Sequence, residues 1–415
     1  MTFLSKIKKF LEGYDNFDYD ESHETLYNYT NYFIEKMNDH KWKWVKEYSK
    51  IGKVNQVSFS TIKDGIENLN DNIFCGKEIY KNIISRIHIN NTYYYGFNYL
   101  GVQYNLYFFS KKPPSIKFLS KLVIITNLLT EECPDTKRPE TITVLFCDTQ
   151  FKKSLPTKNG VIQSGETIGG FHVNSGSTSF VSSKKRIINI WRREERIKVY
   201  IHELLHALNV ETDVLNDVFL VEPLMKHFNV DIPILLLNEA YVEMYATFLN
   251  IIVHYVLSSS KLNSIEKNKK PLKKSKMVKD ITIINAFSKQ VAFSTFQVAK
   301  LLHYYGYRSA SDIYSKKCKF RRKSKWEEDS NVFSYYIIKW SLLSNICKVF
   351  ELCDKKNKIF CNIDKKNLDV FMELCLRSWK KRKFTKVINS HIKEMADTRK
   401  NYPHIGISLR MTIHD

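Results

Sequence analysis

The chain has 415 residues, with 65 Lys+Arg against 43 Asp+Glu, a formal charge of +22 at pH 7. Its 43% apolar content, with 24 Tyr and 26 Phe, excludes wholesale disorder. Only 13 Gly and 9 Pro exclude collagen-like and Gly/Pro low-complexity architecture, and the length suggests two to three lobes around a sizeable core.

The opening segment, MTFLSKIKKFLEGYDNFDYDE, lacks the uninterrupted apolar stretch and small-residue cleavage site of a secretory signal. No window reaches the ~20 predominantly apolar residues of a spanning helix. The richest run, 232–257, is interrupted by Asn238, Glu239, Glu243, Asn250 and His254. Eight cysteines without a CxxC pair fit reduced thiols better than a disulfide framework. Together these features lead to the expectation of a cytoplasmic protein with no membrane span.

In chain order, residues 1–85 read as helical and polar. Trp42, Trp44, Val45 and Tyr48 form part of one apolar stripe, and Ile62, Ile66, Leu69 and Ile73 another. The aromatic, β-rich stretch 92–110 predicts a hairpin turning at Leu100-Gly101. Helical periodicity over 115–132 puts Ile116, Leu119, Leu122, Val123, Ile125 and Leu128 inward. Residues 141–147 predict a short buried strand, 169–180 an exposed Gly/Ser-punctuated strand or loop, and 186–191 another strand. From Arg192 onward the pattern is helical, broken by Lys-rich loops at 261–279, 316–325 and 355–366, with a candidate edge strand at 405–413. The expectation is an α+β fold: a helical region 1–85, a mixed α/β lobe 86–210 and a helical lobe 211–415.

The segment 192–209 is the most informative. It follows a strand, carries Glu194 and Glu195 where a helix dipole favours anions, and spaces Ile197, Ile201, Leu204 and Leu208 along one helical face. That helix holds His202-Glu203-Leu204-Leu205-His206. Histidines at i and i+4 stack on one face, so both imidazoles can reach one Zn2+ at ~2.0–2.1 Å. A bound dication lowers the pKa of water towards ~7, and the intervening Glu203 can then take the proton.

A catalytic zinc site needs a third protein ligand and one open position. The metzincin continuation fails, because Asn209 and Thr212 stand where Gly and His are required. Further on, Glu239 and Glu243 share one face of an otherwise apolar helix pattern over 235–248. Burying two carboxylates there is costly without a compensating cation. A dication on Glu239 and an imidazole N–H on Glu243 would compensate. Asp213 and Asp217, seven and eleven residues after His206, are alternative third ligands.

HELLH at 202–206 followed by NEAYVE at 238–243 resembles the gluzincin clan of zinc metallopeptidases. The strand, strand, active-helix order before the motif resembles the zincin amino-terminal lobe. The resemblance implies that His202, His206 and Glu239 bind zinc, that Glu203 is general base and then acid, and that Glu243 orients a ligand histidine. It covers about 140–250 and implies a divergent branch, a large DNA virus being one source that the composition suggests. The clan also supplies an oxyanion-stabilising Tyr or His from the helical lobe. The candidates here are His303-Tyr304-Tyr305, Tyr335-Tyr336 and His254. Residues 169–177 are the candidate substrate-binding edge, with His172 within them.

Lysine and arginine cluster at 267–276, 316–325 and 380–386. These clusters read first as solvated loops of a lysine-rich chain; the alternative is a cationic rim that would attract acidic polypeptide and hold nucleic acid only electrostatically, since no zinc finger, RNP-like motif or phosphate loop is present. The expected function is zinc-dependent peptide hydrolysis. The alternatives are a non-catalytic basic nucleic-acid- or virion-associated protein retaining a peptidase-like fold, and a closed structural zinc site.

Overall fold

The computed structural model describes residues 23–48, 55–57, 66, 75, 77–89, 91–159, 161–228, 230, 232, 235–258, 281–314, 326–353 and 360–414. The opening segment, Ile62, Leu69, Ile73, the side chains of 41–48 and the basic clusters at 267–276 and 316–325 lie outside these residues.

The described chain is mixed α+β. It starts with helix α1 (His23–Tyr48), strand β1 (Asn55–Val57) and helix α2 (Lys77–Ile89). Strands β2 (Asn91–Tyr99) and β3 (Val102–Ser110) form the expected hairpin. Leu100 and Gly101 both sit at positive φ, 47° and 80°, the twist that a tight two-residue hairpin turn demands. Helix α3 (Ile116–Glu132), whose first turn is capped by the Ser115 hydroxyl accepting from the Phe118 N–H, carries the chain over to β4 (Thr141–Thr149), parallel to β3. A small hairpin, β5 (Thr157–Lys158) and β6 (Val161–Ile162), precedes β7 (Gly176–Phe180) and β8 (Lys185–Arg192). The six-stranded sheet has the order β1-β2-β3-β4-β8-β7, with β4 and β8 parallel and β7 antiparallel at one edge.

Ile142, Val144, Phe146, Ile188 and Ile190 join the main core with α3 and with helix α4 (Arg196–Ala207). Leu145, Cys147 and Trp191 belong to a second cluster with Ile79 and Ile83 of α2. Burial on both faces explains why 141–147 reads as continuous apolar sequence instead of an alternation.

Helices α5 (Val218–Phe228), α6 (Leu237–Ser258), α7 (Ile281–Tyr304), α8 (Leu368–Lys380) and α9 (Arg382–Asn401) make up the later part. The main core runs without a break from Leu26 of α1 to Met411. Within α6, Leu237–Leu257 is long and apolar enough to cross a membrane by length and composition, and 89% of its 18-residue apolar window is buried inside the protein. Of its polar residues, Glu243 and Asn250 are buried within the core and partnered there, by Lys198 and His202 and by Thr412 and the His414 carbonyl.

Five expectations need correction. Ile116, expected inward, is exposed in the first turn of α3. The segment 405–413 is not an edge strand. It begins within a short helix, Pro403–Ile407, and then runs as a buried strap. Side chains satisfy its backbone: Gln297 and Gln290 donate to the Arg410 and Met411 carbonyls at 2.6 and 2.9 Å, and Glu195 accepts the Met411 and Thr412 N–H groups at 2.7 and 2.6 Å. Glu195 is accordingly not in the first helical turn. It precedes α4 with a φ of 58°, and it also pairs with buried Lys153 at 3.1 Å. The exposed edge is shorter than 169–180, because 170–173 form one helical turn and pairing begins at Gly176. Cys353 and Cys361 form a disulfide, whereas Cys75, Cys133, Cys147, Cys347 and Cys375 are buried thiols outside any disulfide.

Candidate metal centre

Helix α4 is buried along nearly its whole length, so His202, Glu203 and His206 reach the base of a cleft already fixed by packing. The cleft has a volume of about 490 Å³. Its walls include Gly176, Ser177, Thr178 and Phe180 of β7, Asn238 and Glu239 of α6, and Tyr335. Helix α6 packs beside α4 and brings Glu239 against both imidazoles.

His202 Nε2 lies 3.3 Å and His206 Nε2 3.4 Å from Glu239 Oε2, and the two Nε2 atoms are 3.2 Å apart. Ligands bonded tetrahedrally at ~2.0–2.1 Å are separated by about 3.3 Å, so the triangle has the dimensions of three corners of such a site. Beyond the imidazoles, no hydrogen-bond donor among the described residues reaches buried Glu239 Oε2. The outer ring nitrogens face carboxylates: His202 Nδ1 is 3.0 Å from Glu243 Oε2, and His206 Nδ1 is 2.6 Å from Glu211 Oε1. Placing the ring protons on Nδ1 leaves two Nε2 lone pairs pointing at each other and at a carboxylate oxygen, an arrangement that a cation relieves. The three donors thus form a group that can hold a metal ion, and no fourth His, Cys, Asp or Glu donor joins it among the described residues.

Burial alone would raise the Glu239 carboxyl pKa, but His206 and His202 outweigh it and hold the group well below the usual carboxylate range. Glu243 behaves likewise: burial opposes ionisation, while Lys198, whose Nζ is 2.6 Å from Glu243 Oε1, and His202 keep it charged. Glu203 goes the other way. Burial raises its pKa, with His202 and His206 only partly offsetting the shift. Its carboxylate accepts from the Thr178 hydroxyl at 2.9 Å, and the same hydroxyl reaches the Glu203 backbone carbonyl at 2.9 Å. Gly176 permits this closeness: a Cβ there would meet Val199 Cγ1 at 2.8 Å and both Asn189 O and Glu203 Cγ at 2.9 Å.

The cleft brings together His202, Glu203, His206, Glu239 and Tyr335. Tyr335 lies in a π-helical turn, Phe333–Ile338, its ring edge-on to His202 at 6.0 Å. Burial, reinforced by Glu239, raises its phenol pKa well above the ordinary value, so it stands as a neutral donor. His303 does not line the cleft. It sits in the last turn of α7, where burial and nearby Arg399 lower its pKa. Tyr304 donates to the Gln163 carbonyl, Tyr305 to Glu327 and Tyr336 to Leu409, while His254 lies against His414. Asp213 lines the cleft rim without joining the donor group, and Asp217 accepts from the Phe219 N–H. His172 accepts from the Gly169 N–H at 3.1 Å in its own helical turn.

Sequence reasoning missed Glu211 and Lys198. The signal for Glu211 was the Leu208-Asn209 pair. Asn209 takes a φ of 49°, and the Val210 N–H closes on the Leu205 carbonyl at 3.1 Å, an αL helix stop that folds Glu211 back onto His206. Lys198 lies one turn before His202, on a face that the apolar spacing leaves unassigned. No protein-family model, no curated protein and no solved structure matches this chain.

Proposed function

We propose that this protein is a zinc-dependent peptidase of the gluzincin type, with His202, His206 and Glu239 as zinc ligands. The observation that carries the reading is the 3.2–3.4 Å triangle of donor atoms from two helices, beside Glu203 and below the open edge of β7. A sheet with parallel β3, β4 and β8, an antiparallel edge strand and the histidine-bearing helix next in sequence supports a zincin-like lobe.

When bound, zinc supplies Lewis acidity that lowers the pKa of water and polarises a carbonyl. As the last strand of the sheet, β7 would take an extended polypeptide by strand addition on its side away from β8. Glu203, poised by burial above the ordinary carboxylate range and steadied by Thr178, accepts a proton from the attacking water. The neutral Tyr335 phenol donates to the oxygen on which charge develops. Glu203 then gives its proton to the leaving nitrogen as the C–N bond breaks, and a carboxylate and an amine result. The net charge of +22 favours acidic polypeptide.

The test is Glu203→Gln, assayed on a library of unstructured peptides with cleavage read by mass spectrometry. Zinc should remain bound, while turnover falls by about 10²–10⁴-fold. Unchanged turnover would remove Glu203 from the chemistry and the mechanism with it.

A further inference from the structure

A second cavity, about 420 Å³, opens at the amino ends of α3 and α4 and shares no lining residue with the cleft. Six cationic side chains line it, Lys117, Lys121, Lys152, Arg193, Arg196 and Arg410, against the single carboxylate of Glu194. That carboxylate is already engaged: it accepts the Lys153 backbone N–H and lies 3.8 Å from Lys152 Nζ. Arg196 is engaged too, paired with Asp148 at 2.7 Å and laid over the Phe118 ring at 3.8 Å. Lysines on a convex face spread apart to lower their repulsion, but here cations converge on one concavity with Phe118 and Ile197 in its wall. The crowding is felt by Lys121, whose ammonium pKa is lowered by burial and then by Lys117.

Two helix amino ends add to this field. The start of α4 has no side-chain cap, because Glu195 turns its carboxylate to the Met411 and Thr412 amides instead. The dipoles of α3 and α4 therefore place positive ends at the cavity. A guanidinium suits the tetrahedral, multiply charged oxygens of phosphate, and exposed Arg193 presents one at the lining, while Arg196 and Arg410, which also bond Asp148 and the Thr412 carbonyl, add their charge. The volume lies within the range of small-molecule pockets and is too small for a nucleic-acid duplex.

We infer that this cavity is a binding site for an oligophosphate anion, the chemistry shared by nucleoside triphosphates, inositol polyphosphates and short polyphosphate. The inference does not depend on peptidase activity. Its test is isothermal titration of inorganic tripolyphosphate into the full chain, with metal content measured before and after so that chelation at the cleft is recognised. One site per chain is expected, with affinity falling steeply as salt rises.

Lys117 and Arg193 are exposed, so neutralising them spares the fold. Lys117→Gln with Arg193→Gln should weaken binding at least tenfold. Lys380→Gln with Lys386→Gln, exposed positions in a separate basic cluster, should leave it unchanged. Titrations with ATP and inositol hexakisphosphate distinguish the sources: tighter binding of one names it, and equal binding assigns the phosphate chain itself. The site is overturned by an absence of saturable binding, by equal losses in both double variants, or by a preference for single-stranded DNA that grows with its length.

Discussion

His202 and Glu243 face each other across two helices at 3.0 Å, and the far oxygen of Glu243 holds Lys198 at 2.6 Å. Lys198 thereby fixes the carboxylate that fixes the imidazole, and a residue one turn before the histidine pair governs its orientation. Removing such a support from a metal ligand costs 10–100-fold in affinity. Glu243→Gln should weaken zinc binding by about that factor, and Lys198→Met by a similar one. Competition against a chromophoric chelator measures both. Wild-type affinity in both variants would mean that the chain of contacts orients nothing.

Gly176 makes a second, steric prediction. Its missing Cβ is what lets β7 lie against Val199 and the Glu203 side chain. Two of the atoms a methyl would meet belong to packed or backbone groups, Val199 Cγ1 and Asn189 O, so they cannot swing aside as a flexible chain end would. Gly176→Ala should cost about 1–3 kcal/mol of stability and lower kcat/KM by displacing Glu203. Denaturant titration and peptide kinetics check the two effects separately.

Tyr335→Phe keeps the ring against His202 and removes only the hydroxyl. If that hydroxyl serves the developing oxyanion, kcat should fall about 10²–10³-fold with KM nearly unchanged. Equal kcat in the variant would leave the ring as cleft wall alone.

Glu328 predicts a pH effect remote from chemistry. Burial pushes its carboxyl up to about 8, although the Trp326 indole N–H and the Phe333 N–H, each at 2.7 Å, oppose the shift. The unfolded chain releases this proton near ~4.3 while the folded protein keeps it to about 8. Between those values the folded state binds more protons, so this contribution is present in full below the lower one and is lost as pH rises. Glu328→Gln keeps an acceptor oxygen and removes the titration. Its stability relative to wild type should rise by a few kcal/mol between pH 4 and pH 8.5, roughly 1.4 kcal/mol per unit of displaced pKa. Urea unfolding across that range measures it, and a constant difference would contradict the assignment.

The sequence made the local features legible. The hairpin at Leu100-Gly101, helix α3, the histidine pair and Glu239 each depend on spacing within one segment. So did the face shared by Glu239 and Glu243, whose burial is paired as the cost of buried charge requires. The features that escaped depend on contacts between distant segments. Glu194 and Glu195 resemble first-turn anions, but their partners, Lys153, Met411 and Thr412, come from elsewhere in the chain. The strap at 408–414 has strand-like composition yet is satisfied by Gln290, Gln297 and Glu195, which no periodicity announces. His303 and Tyr335 were equivalent as residue types, and only the packing of α7 and the π-helical turn separates them.

The most direct measurement is elemental analysis of the purified chain beside its His206→Ala and Glu239→Ala variants. Coordination by two imidazoles and one carboxylate predicts one zinc per wild-type chain, lost in the histidine variant and sharply weakened in the glutamate variant. Substoichiometric metal in the wild type after zinc reconstitution, or full retention in His206→Ala, would contradict it.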